Sequence, residues 1–235
     1  MRAIVGMLAV SCSWDRPAEA QTPTTERPVV TWTEVGAGTG LLAVGFALDQ
    51  TARDWSQRHR SATSNAIAHV GNGFGDKFLV FPALGVAMLA AKAGHSDGTF
   101  DTFWDMTQSA AVAAAGAEVI KVLFGRARPP EQPTNHAYFR PFVLRDHAFP
   151  SGHTATAFAL AAAAAAGTKS KALHPVYFGV AALTAWSRVN DNRHWLSDVI
   201  GGAAFGILVG RFVTRGHGIR LDRPTPVKVG LSIPF

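Results

Sequence analysis

The sequence is poor in cysteine, in charge and in long apolar runs, and each shortage excludes something. A single cysteine, Cys12, in 235 residues rules out a disulfide-built scaffold. Charged residues make up 16%, against roughly 25% in an ordinary soluble domain. A content of 48% hydrophobic residues with a net charge of only +6 excludes a disordered chain. No run reaches the roughly 20 apolar residues of a simple membrane span. Gly71-Asn72-Gly73-Phe74-Gly75 is glycine-dense but lacks the strand-then-helix context of a nucleotide loop, and reads as a flexible turn. The 22 basic residues are not gathered into a stripe, so no nucleic-acid partner is expected.

What is present is helical in character. Charge-free runs rich in Ala, Leu, Val and Gly occur at Val35–Leu48, Phe78–Ala91, Met106–Ala117, Thr154–Thr168, Pro175–Ser187 and Val199–Gly210. Each has 12 to 15 residues, which fits buried core helices or short spans lengthened by snorkelling neighbours such as Lys92 and Arg211. The expectation is an all-α bundle of about six core helices over residues 35–215. A bilayer and a dense Ala-rich core both accommodate it. The Ala161–Ala166 stretch suits close helix–helix contact in either solvent.

The ends differ from the middle. Arg2, the apolar run Ala3–Val10 and Ala18-Glu19-Ala20 before Gln21 read as an export signal over residues 1–20. Lipid attachment at Cys12 is the alternative. Residues 21–34, with Pro23 and Pro28, read as a linker. Residues 216–235 form a charged, Pro-containing tail to which no function is assigned.

Three stretches carry chemistry. Lys121 and Arg128 are seven apart, so a helix through Lys121–Ala127 places both on one face, suited to an oxyanion. Pro129 should end that helix. A basic helix end complementing its dipole, or cations at a membrane boundary, fits this stretch equally. Pro150-Ser151-Gly152-His153 reads as a helix start with Ser151 as N-cap, Gly152 allowing close backbone approach and His153 in the first turn. A simple capped helix fits it too. In Ser187-Arg188-x5-His194-x3-Asp198, His194 and Asp198 are spaced i,i+4 on a presumed helix face. A carboxylate on one imidazole nitrogen leaves the other with an exposed lone pair, though a structural hydrogen bond has the same spacing. Arg126 and Arg193 are expected to face solvent or headgroups, and Asp49 with Arg53 to form a surface ion pair.

Together the three stretches resemble the type 2 phosphatidic acid phosphatase (PAP2) superfamily, which also contains class A acid phosphatases and vanadium haloperoxidases. The signature Lys-x6-Arg-Pro, Pro-Ser-Gly-His, Ser-Arg-x5-His-x3-Asp is matched at Lys121, Arg128, Pro129, Pro150, Ser151, Gly152, His153, Ser187, Arg188, His194 and Asp198. The resemblance implies that His194 attacks phosphorus, Asp198 holds its ring, and His153 protonates the leaving oxygen and then activates water. Lys121, Arg128, Ser151, Gly152 and Arg188 would bind the phosphate oxygens. There is no acidic cluster beside the motifs to hold Mg²⁺ and the histidines lack zinc spacing, so a metal-independent phosphatase without a cofactor is expected. It would hydrolyse a phosphomonoester or lipid (pyro)phosphate at the periplasmic face of the inner membrane. A soluble periplasmic acid phosphatase is the alternative. A vanadium haloperoxidase is the other, with the short chain against it.

Overall fold

Five of the six charge-free runs lie inside a longer helix, and the sixth, Thr154–Thr168, runs one residue past the end of its helix. The computed structural model describes residues 29–143 and 147–219. The expected export signal, Cys12 and the tail beyond residue 219 lie outside the described residues. Among the described residues there are seven α-helices: α1 Trp32–Arg58, α2 Ala62–Gly73, α3 Lys77–Ala93, α4 Asp97–Phe124, α5 Gly152–Gly167, α6 His174–Asn190 and α7 Leu196–Phe212. Among the described residues there are no strands, only one bridge between Arg126 and Phe139. The all-α expectation holds.

Local chemistry sets the boundaries. Thr31 and Glu34 form a reciprocal capping box, so α1 starts inside the segment read as linker. Ser61 with Ser64 does the same for α2, and Asp76 caps α3. α2 is an addition to the six expected helices. The glycine-dense stretch read as a flexible turn forms its last turn and the bend into α3, where the axis changes by 52°. α4 ends at Phe124 because Gly125 adopts φ 55°, and any Cβ there would run into the Arg140 backbone.

α5 is the centre of the bundle. Ala155 and Ala159 pack with Ala113 and Ala117 of α4 and with Val209 beyond the middle of α7. Ala157 and Ala161 pack on Ala181 of α6. The closest approach is to α7, whose Gly202, Gly206 and Gly210 recur every four residues along one face. A Cβ at these positions would lie 2.6 Å from the Ser151 carbonyl, 2.3 Å from the Ala155 carbonyl and 2.7 Å from the Ala162 Cβ. Backbone-to-backbone contact of this kind needs small residues on both sides.

The outer surface is apolar. Val35, Leu41, Val44 and Leu48 of α1, Val86 and Leu89 of α3, and Val112, Val119 and Leu123 of α4 are all exposed. Helix α4 and the segment Leu196–His217 are long and apolar enough to cross a membrane, and the bent α2–α3 pair adds a third if it counts as one span.

The glycine stripe makes a test. Gly206→Ala should lower the melting temperature clearly, whereas Gly179→Ala on α6, whose added Cβ meets nothing within 4 Å, should be neutral or gain about 0.5–1 kcal/mol from helix propensity. Equal losses at both positions in thermal unfolding would show that close α5–α7 packing is not what holds this pair of helices.

Candidate active site

The alternation of helix directions brings the three motifs to one end of the bundle. Lys121 sits in the last turn of α4 and Arg188 in the last turn of α6. Ser151–His153 open α5, and Asp198 lies in the first turn of α7. The opposite end is marked by the ion pair of Glu34, at the start of α1, with Arg211, at the end of α7.

His194 is not on a helix with Asp198. It lies in the loop between α6 and α7, one residue before the N-cap Trp195, and is buried. The i,i+4 spacing therefore works across a helix start rather than along a helix face. Two backbone N–H groups, of Arg193 and His194, close the loop on the Arg188 carbonyl. The His194 Nδ1 lies 2.8 Å from the Ala148 carbonyl and 3.5 Å from Asp198 Oδ2. A carbonyl can only accept, so Nδ1 carries the proton and Nε2 keeps its lone pair. Asp198 Oδ2 accepts the Trp195 N–H at 2.9 Å, so this carboxylate fixes the loop that carries the histidine.

Behind Asp198 stands a residue whose role sequence reasoning missed. Arg126 is 1% exposed and does not face solvent. Its Nη1 donates to Asp198 Oδ1 at 2.6 Å and to Ser197 Oγ at 2.7 Å, and its Nη2 donates to Asp49 Oδ2 at 2.6 Å. Nε and Nη2 also donate to the His136 carbonyl, at 3.0 and 2.7 Å. The rings of Phe46, Phe139 and Trp195 surround the guanidinium at 5.1 to 5.7 Å. Asp49 is correspondingly buried and accepts from the Ser197 N–H and Oγ, while Arg53 pairs with Asp54. The expected Asp49–Arg53 surface pair does not form. Arg193 is exposed, as expected.

The cations converge without sharing a helix. Because α4 stops at Phe124, Lys121 is helical and Arg128 lies in the following extended segment. Lys121 is buried, pairs with Glu118 at 2.7 Å and lies against Gly152, where a Cβ would come within 3.3 Å of its Nζ. Ser151 is the N-cap by position, but its hydroxyl does not cap α5. It accepts from Thr154 Oγ1, and the Ser151 N–H donates to the Asp198 carbonyl. Among the described residues no side chain caps the start of α5. Among the described residues no group of His, Cys, Asp and Glu is arranged to hold a metal ion.

Electrostatics favour neutral imidazoles at both histidines. Burial lowers the His194 pKa, and Asp198 pulls it back in part. Burial, with the positive field of Arg188, lowers His153 to about 4. A bound phosphate dianion acts in the opposite direction on both rings, so the site gains protons as it gains anion.

Known proteins resemble this chain in sequence and in fold. The PAP2 superfamily model matches residues 102–221, about half of the chain. A lipid A 1-phosphatase of Porphyromonas gingivalis is 44% identical over 92 residues, which cover 38% of this chain and 18% of that protein. Two solved structures share the fold at 20% identity. A transmembrane PAP2-type phosphatidylglycerolphosphate phosphatase from Bacillus subtilis superposes with a TM-score of 0.60 over 77% of this chain and 94% of its own. Aquifex aeolicus LpxE superposes with a TM-score of 0.57 over 72% and 95%. The family match over half of the chain, which spans all three motifs, makes this chain a member of the PAP2 superfamily.

Proposed function

We propose that the chain is a metal-independent phosphatase that cleaves a phosphorylated lipid through a phosphohistidine on His194. The observation that carries this is the His194 ring, with Nδ1–H given to the Ala148 carbonyl and Nε2 left as a nucleophile. In the proposed reaction Nε2 attacks phosphorus in line with the ester bond. Lys121, Arg128, Arg188 and the first amides of α5 bind the equatorial oxygens. His153 gives its proton to the leaving oxygen, then takes one from the water that attacks the phosphohistidine. The imidazolium formed on His194 lies beside Asp198, which with Asp49 and Arg126 carries one net negative charge. That charge is placed where positive charge develops.

The lipid part of the reading rests on the surface. An apolar groove of about 490 Å³, lined by Leu48, Trp55, Trp186, Val189, Leu196 and Val199, reaches Leu196, two residues beyond His194. Exposed apolar side chains cover the outer faces of α1, α3 and α4, and α4 and Leu196–His217 are long and apolar enough to cross a membrane. The proposed setting is a membrane with the site at the periplasmic face.

That orientation carries a topological condition. α1 runs from the far end of the bundle to the site end, since Glu34 pairs with Arg211 and Asp49 reaches Arg126. If α1 spans and the site is periplasmic, the residues before Trp32 stay in the cytoplasm. A cleaved export signal or lipid attachment at Cys12 would instead put the site on the cytoplasmic side. Export and a periplasmic site are compatible where α1 does not cross the bilayer, and α1 is not among the segments long and apolar enough to cross.

Two experiments test these parts separately. His194→Ala should abolish hydrolysis of p-nitrophenyl phosphate by the purified chain with the melting temperature kept, and EDTA should leave wild-type turnover intact. Full activity of the alanine variant, or loss of turnover in EDTA, overturns the mechanism. For topology, Thr134→Cys in the exposed loop after Arg128, on a Cys12→Ser background, should react with a membrane-impermeant maleimide in cells with a permeabilised outer membrane and intact inner membrane. Labelling only after inner-membrane lysis would place the site in the cytoplasm.

A further inference from the structure

The glycine-dense stretch at the end of α2 has a place in the site. It is wedged between the elements that carry His153 and Arg188. A Cβ at Gly71 would lie 2.9 Å from the Leu183 carbonyl of α6, and Thr184 Oγ1 donates to the Gly71 carbonyl at 2.8 Å. A Cβ at Gly75 would lie 2.5 Å from the His153 carbonyl. Close approach on both sides holds Asn72 between them.

Asn72 makes polar contacts in two directions. Its Oδ1 accepts from Arg188 Nη1 at 2.6 Å and lies 2.8 Å from Ser187 Oγ, and its Nδ2 donates to Asp191 Oδ2 at 2.7 Å. Only one orientation of the amide satisfies all three, because a guanidinium needs an acceptor and a carboxylate needs a donor. The other side of Arg188 is uncommitted: its Nε is buried and has no hydrogen-bond partner among the described residues. Nε and Nη2 form the side-on fork of a guanidinium, the edge that binds two oxygens of one phosphate.

We propose that Asn72 is a positioning residue that holds Arg188 by Nη1 so that its Nε–Nη2 edge faces the phosphate, with Asp191 orienting the Asn72 amide. This rests on the phosphatase reading above, and it adds to the phosphate clamp Asn72, outside the three motifs, and Asp191, at a variable position of the third. A guanidinium released from Asn72 has more rotamers to lose when phosphate binds. Affinity for the oxyanion falls as a result.

The test uses the full chain purified in detergent, with inorganic phosphate as the probe in titration calorimetry and melting temperature as the control. Asn72→Ala should weaken phosphate binding about tenfold or more, the scale of one charge-assisted hydrogen bond. Asn72→Asp should weaken it further, since two carboxylates then face each other at Asp191. The double variant Asn72→Asp with Asp191→Asn reverses the polarity of that contact and keeps an acceptor for Arg188, so it should recover affinity to within about threefold of wild type. A folded Asn72→Ala chain that binds phosphate within about twofold of wild type overturns the proposal, as does a folded double variant no better than Asn72→Asp. Where Asn72→Ala does not fold, the comparison of the two aspartate variants decides. A wild-type chain that binds no phosphate fails the phosphatase reading itself, and the proposal with it.

Discussion

One buried guanidinium joins the pieces of the site. Arg126 lies between the carboxylates of Asp49 and Asp198, and through them it ties α1, the segment after α4 and the start of α7 into one unit. Burying three charges is costly unless each is paired and hydrogen-bonded. Here both Arg126 terminal nitrogens are used twice, Asp49 takes three donors, and Asp198 takes Arg126 on one oxygen and the Trp195 N–H on the other. Removing Arg126 would leave two buried carboxylates without their cation, a loss of about 3–5 kcal/mol. The loop carrying His194 hangs from this network through Trp195, whose buried indole N–H is also fixed, by the Ala127 carbonyl at 3.0 Å.

The rest of the bundle brings the helix ends to that network. Small residues on α5 and α7 let the two backbones meet, so Ser151 N–H reaches the Asp198 carbonyl directly. The start of α5, with Gly152 and His153, is thereby held beside the start of α7. Lys121 reaches the same place from α4 and Arg188 from α6. Phosphate binding sites need donors and cations that do not reorganise when charge appears. Rigid helix ends locked by backbone contacts meet that need better than long side chains on loops would.

Much of this was legible in the sequence, and the remainder was hidden for physical reasons. The six apolar runs located six helices, because low charge and small residues mark buried or lipid-facing faces whichever solvent surrounds them. Lys121, Arg128, His153, Arg188, His194 and Asp198 were named from spacing and resemblance, and the fold gathers them at one end. The local geometry was less legible. His194 and Asp198 looked like neighbours on a helix, but the helix begins between them. Lys121 and Arg128 looked like one helical face, but Gly125 ends α4 first. Asp49 had a partner four residues away in Arg53, and nothing local signals that its true partner is Arg126, far along the chain. Asn72 was obscured by the glycines around it, which in sequence signify flexibility and in the folded chain permit close packing.

The central claim is that phosphorus passes through His194 Nε2. Phosphohistidine survives alkali and is lost in acid, so turnover quenched in alkali and examined by mass spectrometry reads it directly. The expected result is a phosphoryl group on the peptide containing His194, formed during turnover and discharged when substrate is exhausted. Steady turnover with no phosphoryl group on His194, or with one on a different side chain, would contradict the assignment.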